Sequence, residues 1–417
     1  MSNRLFTTLG IASSFGGMFL IGALEALYGP SLVRLIERFE VSPSAVGIVI
    51  SAHFIGGLLG VLASQSIHAR IGNRITLATG YLLLLLGTIG FAWAPNLILA
   101  ITASAAAGLG FGALDYAFSH LFAVAFGSGS GKMLNLLHGF FGIGAILAPL
   151  VVAVFGPEHY PLYFTGFALL TLITALGVRG VRSFPTQGPA APETPANAPG
   201  TGLSKVASNQ LYFILGFAAM TCVFVFHVAV GSGIGSWEAT YLSLGGISVQ
   251  QAAAATSLFW FSLTASRFVL AAAIKRLRPG TVVTLSCTLM TIGSAVAFIP
   301  GWAVIGLAVA GFAIGPVFPT ALAWANQLFG GRSWVSGSLI AISMIGGIAF
   351  PPLLGATVAA DAEEALFPLA LAGLSLLSTL ACMAIGALRI VERHSDTTNR
   401  DQDPGVPALA ASADPKG

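Results

Sequence analysis

Charge is what this sequence has least of. Lys, Arg, Asp and Glu together make up 8% of its 417 residues, against about 25% in ordinary soluble chains. That scarcity excludes a soluble globular chain of common composition. It also speaks against nucleic acid as a partner, because the net charge of +3 comes with no basic cluster interleaved with stacking aromatics. Cysteine is scarce too. Cys222, Cys287 and Cys382 each fall inside an apolar run, without metal-ligand spacing or a disulfide framework, and read as packing residues. No Walker loop is present to cradle ATP, no histidine pair shares a helix face to hold a metal, and no nucleophile elbow appears. The expectation is therefore a chain that is not an enzyme, with no catalytic residue, cofactor or metal.

What the chain has in abundance is apolar length. Hydrophobic residues make up 56% of it, in repeated runs near the roughly 20 residues that cross a bilayer core. Twelve spans are predicted, at about 7–31, 44–67, 75–94, 97–121, 133–155, 160–179, 210–243, 249–274, 280–299, 301–325, 335–358 and 365–389. The seventh is long, and reads as tilted or broken at Gly231-Ser-Gly-Ile-Gly235. The first run exceeds a signal h-region, contains Glu25 and has no Ala-x-Ala site after it, so it reads as a retained span. The fold class is an all-α membrane protein. With the N-terminus inside, 15 of the 18 Lys and Arg are cytoplasmic, which predicts both termini in the cytoplasm of a multi-pass protein of the plasma (bacterial inner) membrane. Trp93 and Trp302 would then mark the outer interface, and Trp324 and Trp334 the inner one.

Two stretches of that pattern correspond. In the fourth span, Gly108, Gly112, Asp115 and Ser119 return to one helix face, since steps of three and four land on the same side. The glycines admit a neighbouring helix. A carboxylate within a span costs roughly 2.5–3.5 kcal/mol on insertion scales, so Asp115 should face protein or water. Gly311, Gly315 and Phe318 repeat the design at an offset of 203, with the acid replaced. Gly144 to Pro149 and Gly346 to Pro351 correspond at an offset of 202. The offsets agree, and predict two parallel six-helix repeats, 1–182 and 209–394, joined by a Pro-, Ala-, Gly- and Thr-rich cytoplasmic linker over 183–208. Residues 395–417 read as a disordered cytoplasmic tail.

Polar residues inside the spans are few and therefore informative. Glu25 shares a face of the first span with Met18, Gly22 and Gly29. Asn135 and His138 align with Gly142, Ala145 and Pro149 in the fifth span. The seventh holds His227 and Trp237-Glu238, the eighth Trp260 and Arg267, and the tenth the helix breakers Pro316 and Pro319. His53, His120 and His227 read as packing histidines.

Twelve spans in two halves, with Arg70-Ile-Gly72-Asn-Arg74 between the second and third, resemble the major facilitator superfamily over residues 5–390. That superfamily's loop motif has an Asp and a Gly where Ala69 and Gln65 stand here. Within it, Glu25, Asp115, Trp237-Glu238, Arg267 and Phe318-Pro319-Thr320 look most like the fucose–proton symporter-like group, with the acid types of the first and fourth spans exchanged. The resemblance implies a sugar:proton symporter, and it places the first and fourth helices close enough for Glu25 and Asp115 to act as a pair.

A carboxyl that alternates between dry and wet surroundings gains and loses a proton as access changes, so Glu25 and Asp115 are the expected proton-coupling residues. Asn135, His138, Glu238, Trp260 and Arg267 are the expected substrate contacts. Each has a bland counterpart: an interhelical hydrogen bond for His138, a solvated cavity rim for Glu238, packing for Trp260. Arg267 stands eight residues, about 12 Å, from Lys275, so snorkelling to the interface competes with ligand or ion pairing. The expected function is proton-coupled import of a small polar solute, a sugar first, by alternating access near the bilayer midplane. The alternatives are a proton-driven exporter of drugs or metabolites and, further off, a non-transporting membrane sensor. The expected partners are solute, protons and lipid, and nothing requires more than a monomer.

Overall fold

A computed structural model describes residues 5–126, 130–182, 210–273, 277–330, 332–359 and 366–402. The predicted linker 183–208 and the final stretch from residue 403 lie outside the described residues, as do Lys205, Lys275, Arg276 and Lys416. The described chain is helical, with one isolated β-bridge between Phe6 and Val181. Before the linker come α1 (Thr8–Phe39), α2 (Pro43–Ile71), α3 (Asn73–Ala92), α4 (Leu97–Phe126), α5 (Ser130–Phe155) and α6 (Tyr160–Ala175). After it come α7 (Gln210–Leu244), α8 (Val249–Ala273), α9 (Pro279–Val296), α10 (Ala303–Ile314), α11 (Val317–Leu328), α12 (Ser333–Ala359) and α13 (Leu366–Gln402).

Among the described residues, 11 helices are long and apolar enough to cross a membrane, with α10 and α11 together making one of them. The eighth predicted span, 249–274, is helical as α8 but is absent from that set. Its Gln250, Gln251, Ser257, Ser262, Ser266 and Arg267 dilute its apolar character.

Local chemistry sets the helix ends. Thr7 accepts a hydrogen bond from the Gly10 amide to start α1, and Ser42 caps α2 ahead of Pro43 at its first position. Gly72, at φ 82°, turns the chain from α2 into α3 within one residue. Pro316 separates α10 from α11, because it removes a backbone donor and its ring meets the preceding turn.

Three expectations change. α7 runs unbroken for 35 residues, about 52 Å, so there is no break at Gly231–Gly235 and the helix is longer than a roughly 30 Å apolar core. α13 continues to Gln402, into the stretch expected to be disordered from 395. No Gly or Pro interrupts the chain between Gly386 and Pro404, so nothing local stops the helix sooner. Trp324 is buried against Gly280 rather than placed at an interface, whereas Trp93, Trp302 and Trp334 are exposed.

Glycine stripes hold the helices together. A Cβ on Gly108 would stand 2.1 Å from the His53 carbonyl oxygen, and one on Gly112 would stand 2.0 Å from that of Gly57. α4 therefore lies against the backbone of α2. Gly311 and Gly315 press α10 on α8 in the same way, against Phe259 and Ser266. Helices before the linker pack mainly on one another, and so do those after it. The pairs α2–α12, α5–α8 and α1–α7 join the two sets.

Candidate functional site

A cavity of about 220 Å³ lies where those joining pairs meet. α1 contributes Glu25 and Tyr28, and α2 contributes His53 and Phe54. Across from them stand His227, Ser232 and Ser236 of α7, Trp260 and Arg267 of α8, and Ile314 and Phe318 on either side of the α10–α11 break.

Glu25 reaches the cavity because of what its own stripe does. Gly22 lies against the Phe141 carbonyl of α5, and Gly29 against the Gly235 carbonyl of α7, each so close that a Cβ would come within 2.1 Å. The face between these two contacts is left open. From Leu20 to Leu32 every residue is buried except Glu25, which is half-buried. Tyr28, one turn on, stacks toward His53 with ring centroids 5.1 Å apart. Ser104 of α4 donates to the Val49 carbonyl at 2.8 Å and lies 3.4 Å from the Tyr28 hydroxyl.

Arg267 is exposed to this space rather than packed in the helix interface. Its Cγ lies beside Gly315, the last residue before the Pro316 break. Glu25, His138 and His227 are within electrostatic reach of it. Glu25 is likewise within reach of Asp115, and Asp115 of His138. Four helices, α1, α4, α5 and α8, thus converge two acids, a histidine and an arginine within a membrane-spanning region. Charges there are costly enough that their clustering marks a working site.

Trp260 lines the cavity with 8% of its surface accessible, and its indole N–H makes no hydrogen bond among the described residues. The ring packs on Gly235, where a Cβ would lie 3.1 Å away. Both ring nitrogens of the buried His53 lack a hydrogen bond of ordinary geometry, with Ser104 nearest. The His227 ring lies 3.2 Å from the Val223 carbonyl and packs on Phe318 at 5.9 Å between centroids.

The structure places the expected site residues unequally. Glu25, Trp260 and Arg267 line the cavity, and Asp115 and His138 form its second layer. Asn135 is exposed near the start of α5 and is not among the lining residues. Glu238 does not reach the cavity either. It is fully buried between α7 and α8, with the Thr256 hydroxyl nearest and neither carboxyl oxygen in a hydrogen bond of ordinary geometry. His53 and His227, read from sequence as packing residues, both line the cavity. The signal for His227 was present: His227, Gly231 and Gly235 fall on one stripe, four residues apart, beside Ser232 and Ser236.

The cavity is sealed on the side away from the start of α1. There Gly29 meets Gly235, Gly47 meets Pro351 and Pro352, and Gly355 meets Pro43 and Trp237. One hydrogen bond crosses the seam, from Ser51 of α2 to the Ile348 carbonyl of α12 at 2.6 Å, and beside it the Trp237 indole of α7 donates to the Pro351 carbonyl of α12 at 2.7 Å. Toward the α1 start, the two sets touch where Gly139 and Gly142 of α5 meet Phe268 and Thr264 of α8.

Apolar helices enclosing a charged cavity define a multi-pass membrane transporter. The Major Facilitator Superfamily model matches residues 14–351, and the chain belongs to that superfamily. Among curated relatives, the niacin transporter NiaP of Acinetobacter baylyi is 31% identical over 129 residues, which cover 29% of this chain and 28% of that protein. The matched region thus spans under a third of that relative's length. Two solved structures share the fold over nearly the whole chain. A crystal structure of the D-xylose-proton symporter has a TM-score of 0.71 at 15% identity, covering 90% of this chain and 96% of that one. A crystal structure of a mutant form of the nucleoside transporter NupG has a TM-score of 0.71 at 15% identity, covering 90% and 98%.

Proposed function

We propose that this chain is a secondary active transporter that imports a small polar solute, a sugar or a close chemical relative, together with protons. Two six-helix bundles, 1–182 and 209–394, rock about the cavity, with both termini, the 183–208 linker and the end of the chain in the cytoplasm. Glu25 and Asp115 carry the proton. Trp260, Arg267 and His138 contact the solute, and Asn135 meets it at the cavity mouth. Glu238 joins them only when α7 and α8 part in another state of the cycle.

One observation carries the reading: Glu25, the single accessible residue in an otherwise buried stretch of α1, faces Arg267 across a membrane-enclosed cavity. A carboxyl so placed exchanges protons only with whichever side the cavity opens to, and this is the requirement for coupling. The resemblance of the acids and of Trp237-Glu238 to the fucose–proton symporter-like group supports a sugar. So do the names of structural neighbours that carry xylose and nucleosides.

The test uses proteoliposomes loaded with a pH-sensitive dye and challenged with sugars and other small polar solutes. Solute-driven acidification of the lumen is expected for the wild type, and Glu25→Gln or Asp115→Asn should abolish it. Solute uptake without proton movement by active, correctly oriented protein would overturn proton coupling. Solute-driven proton release from the lumen would replace symport by export.

A further inference from the structure

Arg267 is the feature that a neutral solute leaves unexplained. Its side chain is accessible and lines the cavity, and among the described residues no acid comes within the 4.0 Å of a salt bridge. The three ion pairs found there, Arg34–Glu37, Arg34–Glu158 and His159–Glu158, all lie outside the cavity. Glu25 is close enough to act on Arg267 electrostatically but does not pair with it. The gap between them is part of a cavity of about 220 Å³, walled by Tyr28, Phe54 and Trp260. The remaining titratable groups within electrostatic reach of either charge are Asp115, Tyr28, His138 and His227.

When the cavity closes around a solute, water leaves and Arg267 needs a counter-charge. A sugar hydroxyl supplies none, and an unpaired buried cation is strongly unfavourable. A carboxylate supplies it, and its two oxygens match the planar fork of the guanidinium.

We infer that the transported solute is a small hydroxylated monocarboxylate, which docks on Arg267 while Glu25 across the cavity holds the coupling proton. This rests on the transport reading above and specifies its substrate class. The arrangement ties the two loads together. With Glu25 ionised, its negative charge competes with the solute for Arg267. A proton from the open side binds a Glu25 oxygen, removes that competition and leaves the guanidinium to the solute carboxylate. Loss of the proton on the far side restores the competition and expels the anion. One proton and one monocarboxylate cross with no net charge, whereas a neutral sugar moving with a proton carries one positive charge.

The experiment uses full-length protein in proteoliposomes containing both a pH-sensitive and a potential-sensitive dye. The probes are matched pairs that differ in a carboxylate: glucose and glucuronate, sorbitol and gluconate, glycerol and glycerate. Wild type is compared with Arg267→Gln and Arg267→Lys, each first shown to unfold at the wild-type temperature in detergent. The expected result is proton uptake driven by the acid of at least one pair and not by its neutral partner, without a potential change. Arg267→Gln should weaken it about thirtyfold or more, the scale of losing one partner of a buried charge pair, and Arg267→Lys should restore part of it. If a neutral member drives proton uptake with a positive-inward potential, and Arg267→Gln leaves it intact, the substrate class is wrong while proton symport stands. If no member of any pair moves protons or itself, the transport reading fails and this inference falls with it.

Discussion

Glu25 and Arg267 stand on opposite walls of one cavity, and Glu25 is the accessible residue in an otherwise buried stretch of α1. Glu238 makes the contrast. It is also a glutamate and sits just one turn beyond Gly235, yet it is fully buried, with Thr256 of α8 beside it. In the state described here it lines nothing. Glu238→Gln keeps the shape and removes the ionisable group, so solute-driven proton uptake in proteoliposomes should persist at saturating solute, with only the solute affinity lowered. A loss equal to that of Glu25→Gln would instead give Glu238 a share in coupling. The intramembrane acids were legible from sequence, because a charge in an apolar run has few uses. His53 was not, and His227 was legible only through the glycine stripe it shares. A histidine on an apolar face has the same sequence signature whether a helix or a cavity lies opposite, and only the position of α1 against α7 leaves space in front of them.

At the scale of helices, backbone proximity does the work that side chains do in soluble proteins. Gly112→Ala would place a methyl group 2.0 Å from the Gly57 carbonyl oxygen. The neighbour is backbone of a packed helix and cannot step aside, so overpacking of about 1–3 kcal/mol is expected. A lower unfolding temperature in detergent would show it. Gly373 of α13 has nothing within 4 Å of its notional Cβ. Gly373→Ala should therefore be neutral or stabilising by about 0.5–1 kcal/mol through helix propensity. Equal effects from the two changes would refute the close-packing account. The glycine stripe of α4 and its counterpart on α10 were visible as spacing, and both prove to be helix seams. The fate of the other glycines was not visible. Gly231 to Gly235 looked like a breaker, but Gly235 serves instead as the surface on which Gly29 of α1 rests. Pro316 did break its helix, because a missing donor and a ring clash act locally and need no partner.

Across the whole molecule, the sealed seam of α1, α2, α7 and α12 defines which side of the cavity is shut. The Ser51–Ile348 hydrogen bond and the glycine contacts that cross between the two sets must break if the other side is to open. A disulfide between Ser51→Cys and Ile348→Cys, in a background without native cysteines, should hold the seam closed. Uptake should stop on oxidation and return on reduction, and in a separate protein carrying Arg267→Cys as well a water-soluble modifier should still reach that position from the other side. Continued uptake with the disulfide formed would show that the seam does not open during transport. Membership of a helical membrane class was determined by sequence alone, since apolar length near 20 residues and scarce charge leave little else to form. The placement of Glu25 and Asp115 within the membrane was determined with it. Tertiary structure alone decided which polar residues share a space. That depends on where helices far apart in the chain approach within a few ångströms, and an apolar face reads the same whether lipid, helix or cavity lies against it.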